Sequence, residues 1–204
     1  MANVIFESVR GIQTIPVEDD FLRARKIFLV GEVNDESCNE LIKQLLYMEG
    51  EDNTRPITLF INSPGGDVTS GLAVYDTIRL MKSPVTAVVM GIAASMGSII
   101  LLACDKERRF MLPSSRVMIH DCCWGSRNFG GYKPHEIEQE LTQLKNTNAR
   151  LLSIIAERCG KTVKQVAKVT MHDSYFDAKE AIEFGLISAV IDDDAFDKIT
   201  QRGE

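Results

Sequence analysis

The sequence predicts an α/β fold in which parallel strands are covered by helices. Three observations point there. Short, continuously apolar runs rich in β-branched residues alternate with segments whose apolar residues recur at helical spacing. That alternation repeats three times along the first half of the chain, as expected for strands joined by helical crossovers. The length of 204 residues suits one domain rather than two.

Before Lys26 the pattern is irregular, broken by Gly11 and Pro16, and residues 1–20 read as a mobile N-terminal segment, leaving 21–204 as a single domain. KIFLVGEV (26–33) reads as a strand. Ser37-Cys38-Asn39-Glu40 has the form of a capping box opening a helix that runs to about Gly50. PITLFIN (56–62) is a second strand, closed by the turn Ser63-Pro64-Gly65-Gly66. Leu72, Tyr75, Ile78 and Leu80/Met81 then recur at helical spacing, and Pro84 marks the start of the next strand. ERRFML (107–112) and SRVMIH (115–120) add two short strands. From Pro134 to Cys159, Ile137, Leu141, Leu144, Leu151, Leu152 and Ile155 form one apolar face, with Gly160 placed to end the helix. Such a helix is about 39 Å long, against a radius of gyration of roughly 17 Å for a globule of this length. It must cross the whole body or project from it, and a projecting apolar face needs a partner chain. Thr162 to Gln165 is another capping box, AKEAIEFG (178–185) a short helix and LISAVI (186–191) a last strand.

Composition excludes several classes. Lys+Arg total 23 against 29 Asp+Glu, a net charge of -6, and no basic run exceeds two residues, so a nucleic-acid-binding face is not expected. Hydrophobic residues make up 45% and charged residues 25%, values of an ordinary globular chain. MANVIFESVR lacks a charged region followed by an apolar stretch, so export is not expected. The cysteines number five, with no Cys-x-x-Cys pair, which fits a reducing cytoplasm. Val85 to Cys104 carries no charge over a length that could span a bilayer. Gly91, Ser95, Gly97 and Ser98 interrupt it, however, so a buried strand, a turn and a buried helix explain it better than a membrane span.

Chemistry-bearing residues fall in that punctuation. Ser95, in Gly91-Ile92-Ala93-Ala94-Ser95-Met96-Gly97, stands between strand and helix, where an exposed hydroxyl lies beside the unpaired N–H groups of a first helical turn. Ala-x-Ser-x-Gly differs from the Gly-x-Ser-x-Gly elbow at one small residue. A nucleophile and an ordinary N-cap serine both fit. A nucleophile needs a base, and the histidines are His120, His135 and His172. His135 reads as solvated and His172 lies in an inter-helix loop. His120 ends an apolar strand, where open α/β sheets present functional groups; a base and a structurally satisfied histidine both remain open. Gly65 and Gly66 allow a backbone to approach an anion closely, or simply make a β-α turn. No P-loop or Gly-x-Gly-x-x-Gly occurs, so nucleotide binding lacks support. His120, Asp121, Cys122 and Cys123 are metal-capable, but adjacent residues of an extended segment point apart and no second ligand pair follows; no metal is expected.

Taken together, Asn62 to Gly66, Gly91 to Gly97, Arg109 to Pro113, Ser115 to His120 and Ala178 to Leu186 resemble the ClpP family of caseinolytic serine peptidases, over roughly residues 25–191. The resemblance implies the crotonase-like ClpP fold with a projecting handle helix at about 134–159. It also implies a triad of Ser95 as nucleophile, His120 as general base and Asp173 as orienting acid, with an oxyanion hole from the N–H groups of Gly66 and Met96. By the same likeness, homo-heptameric rings stack as a tetradecamer around a chamber in which unfolded proteins are cleaved, and residues 1–20 form an axial gate. A separate AAA+ Clp ATPase docks on apolar pockets including Phe60, Leu80, Met90, Phe110 and Leu112. ATP is used only by that partner, and this chain needs no cofactor.

The sequence also departs from the family. Where members usually read His-Gln-Pro and a short glycine-rich turn, this chain has His120-Asp121-Cys122-Cys123-Trp124 and then Gly125 to Gly131. The separation of His120 from Asp173 is thereby about four positions longer than usual. Met171 and His172 replace an acidic residue and an arginine, and Thr58 replaces an aromatic residue of the docking pocket. Two alternatives follow: a weakly active or regulatory ring subunit that needs an active paralogue, and a crotonase-like acyl-CoA enzyme that does not require Ser95.

Overall fold

The computed structural model describes residues 2–8, 11–125 and 129–200. The chain opens with an antiparallel hairpin, β1 (Asn3–Ser8) and β2 (Gly11–Pro16), in which Ser8 pairs with Gly11 and Asn3 with Pro16. A short helix, α1 (Val17–Arg23), follows directly. The sequence pattern reads as irregular here because Gly11 and Pro16 look like breaks. They instead bound β2: Gly11 takes φ +108° beside the hairpin tip, and Pro16 occupies the strand end, where no ladder donor is needed.

The main sheet has seven strands. β3 (Lys26–Val33), β4 (Ile57–Gly66), β5 (Val85–Ala94), β6 (Arg109–Met111) and β9 (Ala189–Val190) lie side by side, all parallel. β5 changes partner along its length. Its Ala87–Val89 pair with β6, whereas Ile92–Ala94 pair with β7 (Arg116–Ile119), on which β8 (Ser174–Phe176) lies antiparallel. The Ser115 side chain stitches the change of partner. Its hydroxyl accepts from the Gly91 N–H at 2.9 Å and donates at 3.0 Å to the Val89 carbonyl, which also accepts from the Leu112 N–H, so one side chain ties the two halves of β5 together.

The first crossover helix, α2 (Asp35–Glu51), begins earlier than the expected cap at Ser37. Asn34 is the N-cap: its side chain accepts from the Ser37 N–H at 2.9 Å, while the Ser37 hydroxyl accepts from the Asn34 N–H at 3.1 Å. Ser37 thus takes the reciprocal N3 role. α3 (Val68–Leu80) is capped by Asp67, and α4 (Met96–Ala103) is buried at every residue. The uncharged run from Val85 is therefore a central strand and a central helix. No helix among the described residues is long and apolar enough to cross a membrane. The principal core lies between the sheet and α2, α3 and α4, built on Leu29, Leu45, Leu59, Val89, Ile100 and Leu101.

α5 (Pro134–Cys159) has the expected bounds and ends at Gly160, whose φ of +65° is left-handed. Its buried residues are Leu151, Ile155, Ala156 and Cys159, and none of residues 134–150 is buried. The outer part projects, with Leu141 exposed and Ile137 and Leu144 half-buried. α6 (Val163–Thr170) and α7 (Ala178–Phe184) complete the body, and α8 (Asp193–Thr200), which the sequence pattern did not signal, closes it.

Arg109, 1% exposed, fastens this end of the molecule. Its guanidinium donates to the carbonyls of Arg158 (3.1 Å), Gly185 (3.3 Å) and Leu186 (3.4 Å), beside the C-terminal ends of α5 and α7, where carbonyls lack intrahelical partners and the helix dipoles are negative. Burial, and then the neighbouring Arg158, hold its pKa below the usual arginine value. Arg109→Met would leave those carbonyls unpaired. At about 1–3 kcal/mol for each buried unpaired group, a loss on the order of 3 kcal/mol is expected. It would appear as a lowered melting temperature at fixed protein concentration, and an unchanged melt would refute the assignment.

Candidate active site

Ser95 sits where β5 ends and α4 begins, with φ +51° and ψ −120°. A non-glycine residue in that region stores on the order of 1–3 kcal/mol of strain. Its surroundings hold it there: the Ser95 N–H donates to the Met118 carbonyl at 3.0 Å, and its own carbonyl accepts from the N–H and hydroxyl of Ser98. Although Ser95 occupies the N-cap position, its hydroxyl caps nothing. It lies 2.8 Å from His120 Nε2 instead. An ordinary capping serine would bond an N–H of the first turn, which this hydroxyl does not do.

His120 follows β7, beside the partner-changing half of β5 that leads into Ser95. Its Nδ1 lies 3.1 Å from Asp173 Oδ1. The ionised carboxylate can only accept, so this contact places a proton on Nδ1 and leaves Nε2 free to take one from the serine hydroxyl. The His120 side chain is 24% exposed and that of Asp173 is 62% exposed, so the chain runs from the interior to the rim. His135 and His172 are both exposed and belong to no such arrangement.

Ser63 to Gly66, expected from the sequence to be a turn, instead continue β4 past a register shift, and this strand end supplies the facing wall. Gly65 has φ +92°, and a Cβ there would lie 2.6 Å from Ser95 Cβ and 2.7 Å from the Ala94 carbonyl. Gly66 has φ +150°, and its Cβ would strike the Val33 carbonyl. Only glycine lets this backbone come so close. Gly66 and Met96 line the same cleft as Ser95 and His120, a space of about 430 Å³. Met96 is the first residue of α4, so its N–H has no intrahelical acceptor. The cleft's other walls include Ile99, Met118, Leu151 and Trp124. Trp124 stands edge-on to Phe129 at 4.7 Å, and Phe129 edge-on to Tyr132 at 5.5 Å. Trp124 and Phe129 lie within the stretch that departs from the family pattern in both residue identity and length.

Of the metal-capable side chains, His120 and Asp121 have other partners. The Asp121 carboxylate accepts from the Thr170 hydroxyl at 2.6 Å. Burial, with nearby Cys123 and Asp121, pushes the Cys122 thiol up. Among the described residues, no three His, Cys, Asp or Glu side chains converge. The buried thiols of Cys104 and Cys159 are pushed up to about 12 and about 11 by burial, and all the cysteines are free.

Phe60, Met90, Phe110 and Leu112 come together in a second apolar cluster with Val88 and Ile191. Leu80 does not join it; it ends α3 and is 84% exposed. Val88, Ile191 and three further contributors escaped the sequence reading. Phe28 stacks on Phe60 at 5.0 Å, and Ala195 and Ile199 of α8 pack against the cluster.

The sequence matches the Clp protease family over residues 10–194. It is 40% identical over 189 residues to the ATP-dependent Clp protease proteolytic subunit of Streptococcus mutans serotype c, and 40% identical over 189 residues to that of Streptococcus uberis. Each alignment covers 93% of this chain and 95% of the relative.

Proposed function

The chain belongs to the Clp protease family, a family of peptidases, and on that footing we propose that it is a serine endopeptidase whose catalytic residues are Ser95, His120 and Asp173. The observation that carries the reading is the continuous chain Ser95 Oγ, His120 and Asp173, at 2.8 and 3.1 Å.

In this mechanism His120 Nε2 takes the Ser95 proton as the hydroxyl oxygen attacks a peptide carbonyl. The N–H groups of Gly66 and Met96 receive the oxyanion, and His120 returns the proton to the leaving amine. Water, activated by the same imidazole, then releases the acyl group. Asp173 keeps the proton on Nδ1 and stabilises the imidazolium that forms. The chemistry uses no cofactor within this chain.

The relatives are named as ATP-dependent proteolytic subunits. By analogy, this chain assembles as homo-heptameric rings stacked into a cytoplasmic tetradecamer, contacting one another through the projecting part of α5. An AAA+ Clp ATPase docks on the cluster of Phe60, Met90, Phe110 and Leu112, with exposed Leu80 beside or across a subunit boundary. Unfolded polypeptides are the substrates, and residues 1–20 serve as the axial gate. The aligned hydrogen-bond chain favours an active subunit over a regulatory one.

Native mass measurement combined with peptide hydrolysis tests the proposal. A homotetradecamer that cleaves an unstructured peptide is expected, with His120→Ala losing about 10³-fold or more in kcat without loss of assembly. Activity that arises only on mixing with a paralogous subunit would overturn the reading, as would a fully active His120→Ala.

A further inference from the structure

His120 and Asp173 come from segments far apart in sequence, and each lies between two cross-links that join those segments. On one side, Ile119 of β7 pairs with Ser174 of β8 in the antiparallel ladder. On the other, Asp121 meets Thr170, the last residue of α6, twice: its N–H donates to the Thr170 carbonyl at 2.7 Å, and its carboxylate accepts from the Thr170 hydroxyl at 2.6 Å. Thr170 is 0% exposed, so water does not compete for that hydroxyl. The short loop from Thr170 to Ser174 is closed further by the Ser174 hydroxyl, which donates to the Val169 carbonyl at 2.8 Å.

We propose that Asp121 and Thr170 are positioning residues that set the separation of His120 from Asp173. This rests on the serine-peptidase reading given above. Asp173 is largely exposed, and its contact to His120 is a single one at 3.1 Å, so the carboxylate has little of its own to hold it. The ladder pair alone fixes one end of the loop. The Asp121–Thr170 clasp fixes the other, and the two together leave Asp173 a narrow range of approach to Nδ1. A charged acceptor makes the stronger clasp, because hydrogen bonds to ionised groups are shorter and about twice as strong as neutral ones.

The test compares Asp121→Ala, Asp121→Asn and Thr170→Val in the assembled enzyme, with Ser95→Ala as control. A misplacement approaching 1 Å costs up to about 100-fold, so Asp121→Ala and Thr170→Val are expected to lower kcat and the rate of fluorophosphonate labelling by about 10- to 100-fold. KM and the assembled mass stay as in the parent. Asp121→Asn keeps an oxygen that accepts from Thr170 and is expected to restore most of kcat. If Asp121→Ala and Thr170→Val keep parental kcat while Ser95→Ala is inactive, the clasp is refuted and the triad stands. If Asp121→Asn fails as badly as Asp121→Ala while Thr170→Val is normal, charge rather than position matters and the proposal is overturned. A fully active Ser95→Ala would instead sink the reading beneath it. Loss of assembled mass in Asp121→Ala and Thr170→Val together, with no kcat defect in the material that does assemble, counts against positioning as well.

Discussion

Replacing Ser95 with alanine is expected to abolish peptide hydrolysis and covalent capture by a fluorophosphonate, while the assembled mass and melting temperature change little. The expectation of small structural cost follows from what the hydroxyl does not do. It caps no N–H of α4, and the strained backbone at φ +51° is held by the Ser95 N–H and carbonyl, which alanine retains. Its one recorded side-chain partner is His120 Nε2. The functional cost is large because the attacking oxygen itself is removed. Residual catalysis could come only from the cleft and its oxyanion donors, leaving a rate about 10³- to 10⁶-fold below the parent. Undiminished labelling or hydrolysis in this variant would exclude Ser95 as nucleophile, and undiminished acyl-CoA turnover would point to chemistry of another class.

Gly65→Ala is expected to be nearly as damaging, through geometry rather than chemistry. The new methyl would sit 2.6 Å from Ser95 Cβ, 2.7 Å from the Ala94 carbonyl and 2.9 Å from Met96 N, all of them backbone or the first side-chain atom. Nothing there is the free end of a flexible chain. The end of β4 must withdraw, and alanine also strains at φ +92°. Withdrawal carries the Gly66 N–H away from the position proposed for the oxyanion, and loss of one such donor costs about 10²–10³-fold in kcat. Peptide hydrolysis by assembled Gly65→Ala, normalised to its folded fraction by circular dichroism, checks this; parental kcat would refute the close-approach argument.

Much of this architecture can be read from the chain itself. Lys26–Val33 and Pro134–Cys159 were legible to the residue because burial and period coincide there with unambiguous stops, a turn residue in one case and Gly160 in the other. The start of α2 was misplaced because Ser37 suits both the cap and the N3 position, and only the bond to Asn34 decides between them. β8 and α8 went unread for a different reason. Three residues of strand, Ser174–Phe176, show no period, and α8 is only 8 residues long, so its capping Asp192 and the i, i+4 pair Ala195 and Ile199 make too brief a pattern to stand out. In the site, the candidates Ser95 and His120 followed from their places at strand ends. Asp173 came from resemblance alone, since its relation to His120 is made by the antiparallel pairing of β7 and β8 and not by any local spacing. Asp121 looked like a possible metal ligand, and only the hydroxyl of Thr170 shows where its charge is directed.

None of residues 134–150 of α5 is fully buried, and a free-standing helix of such length is only marginally stable in water. In a lone chain its amides would exchange with solvent at close to the rate of an unfolded peptide, while those near Leu151 and Ile155 would stay protected with the core. The helix thus has two halves with different reasons for being helical. Protection of the inner half reports that the chain has folded, whereas protection of the outer half reports that something has come to lie against it.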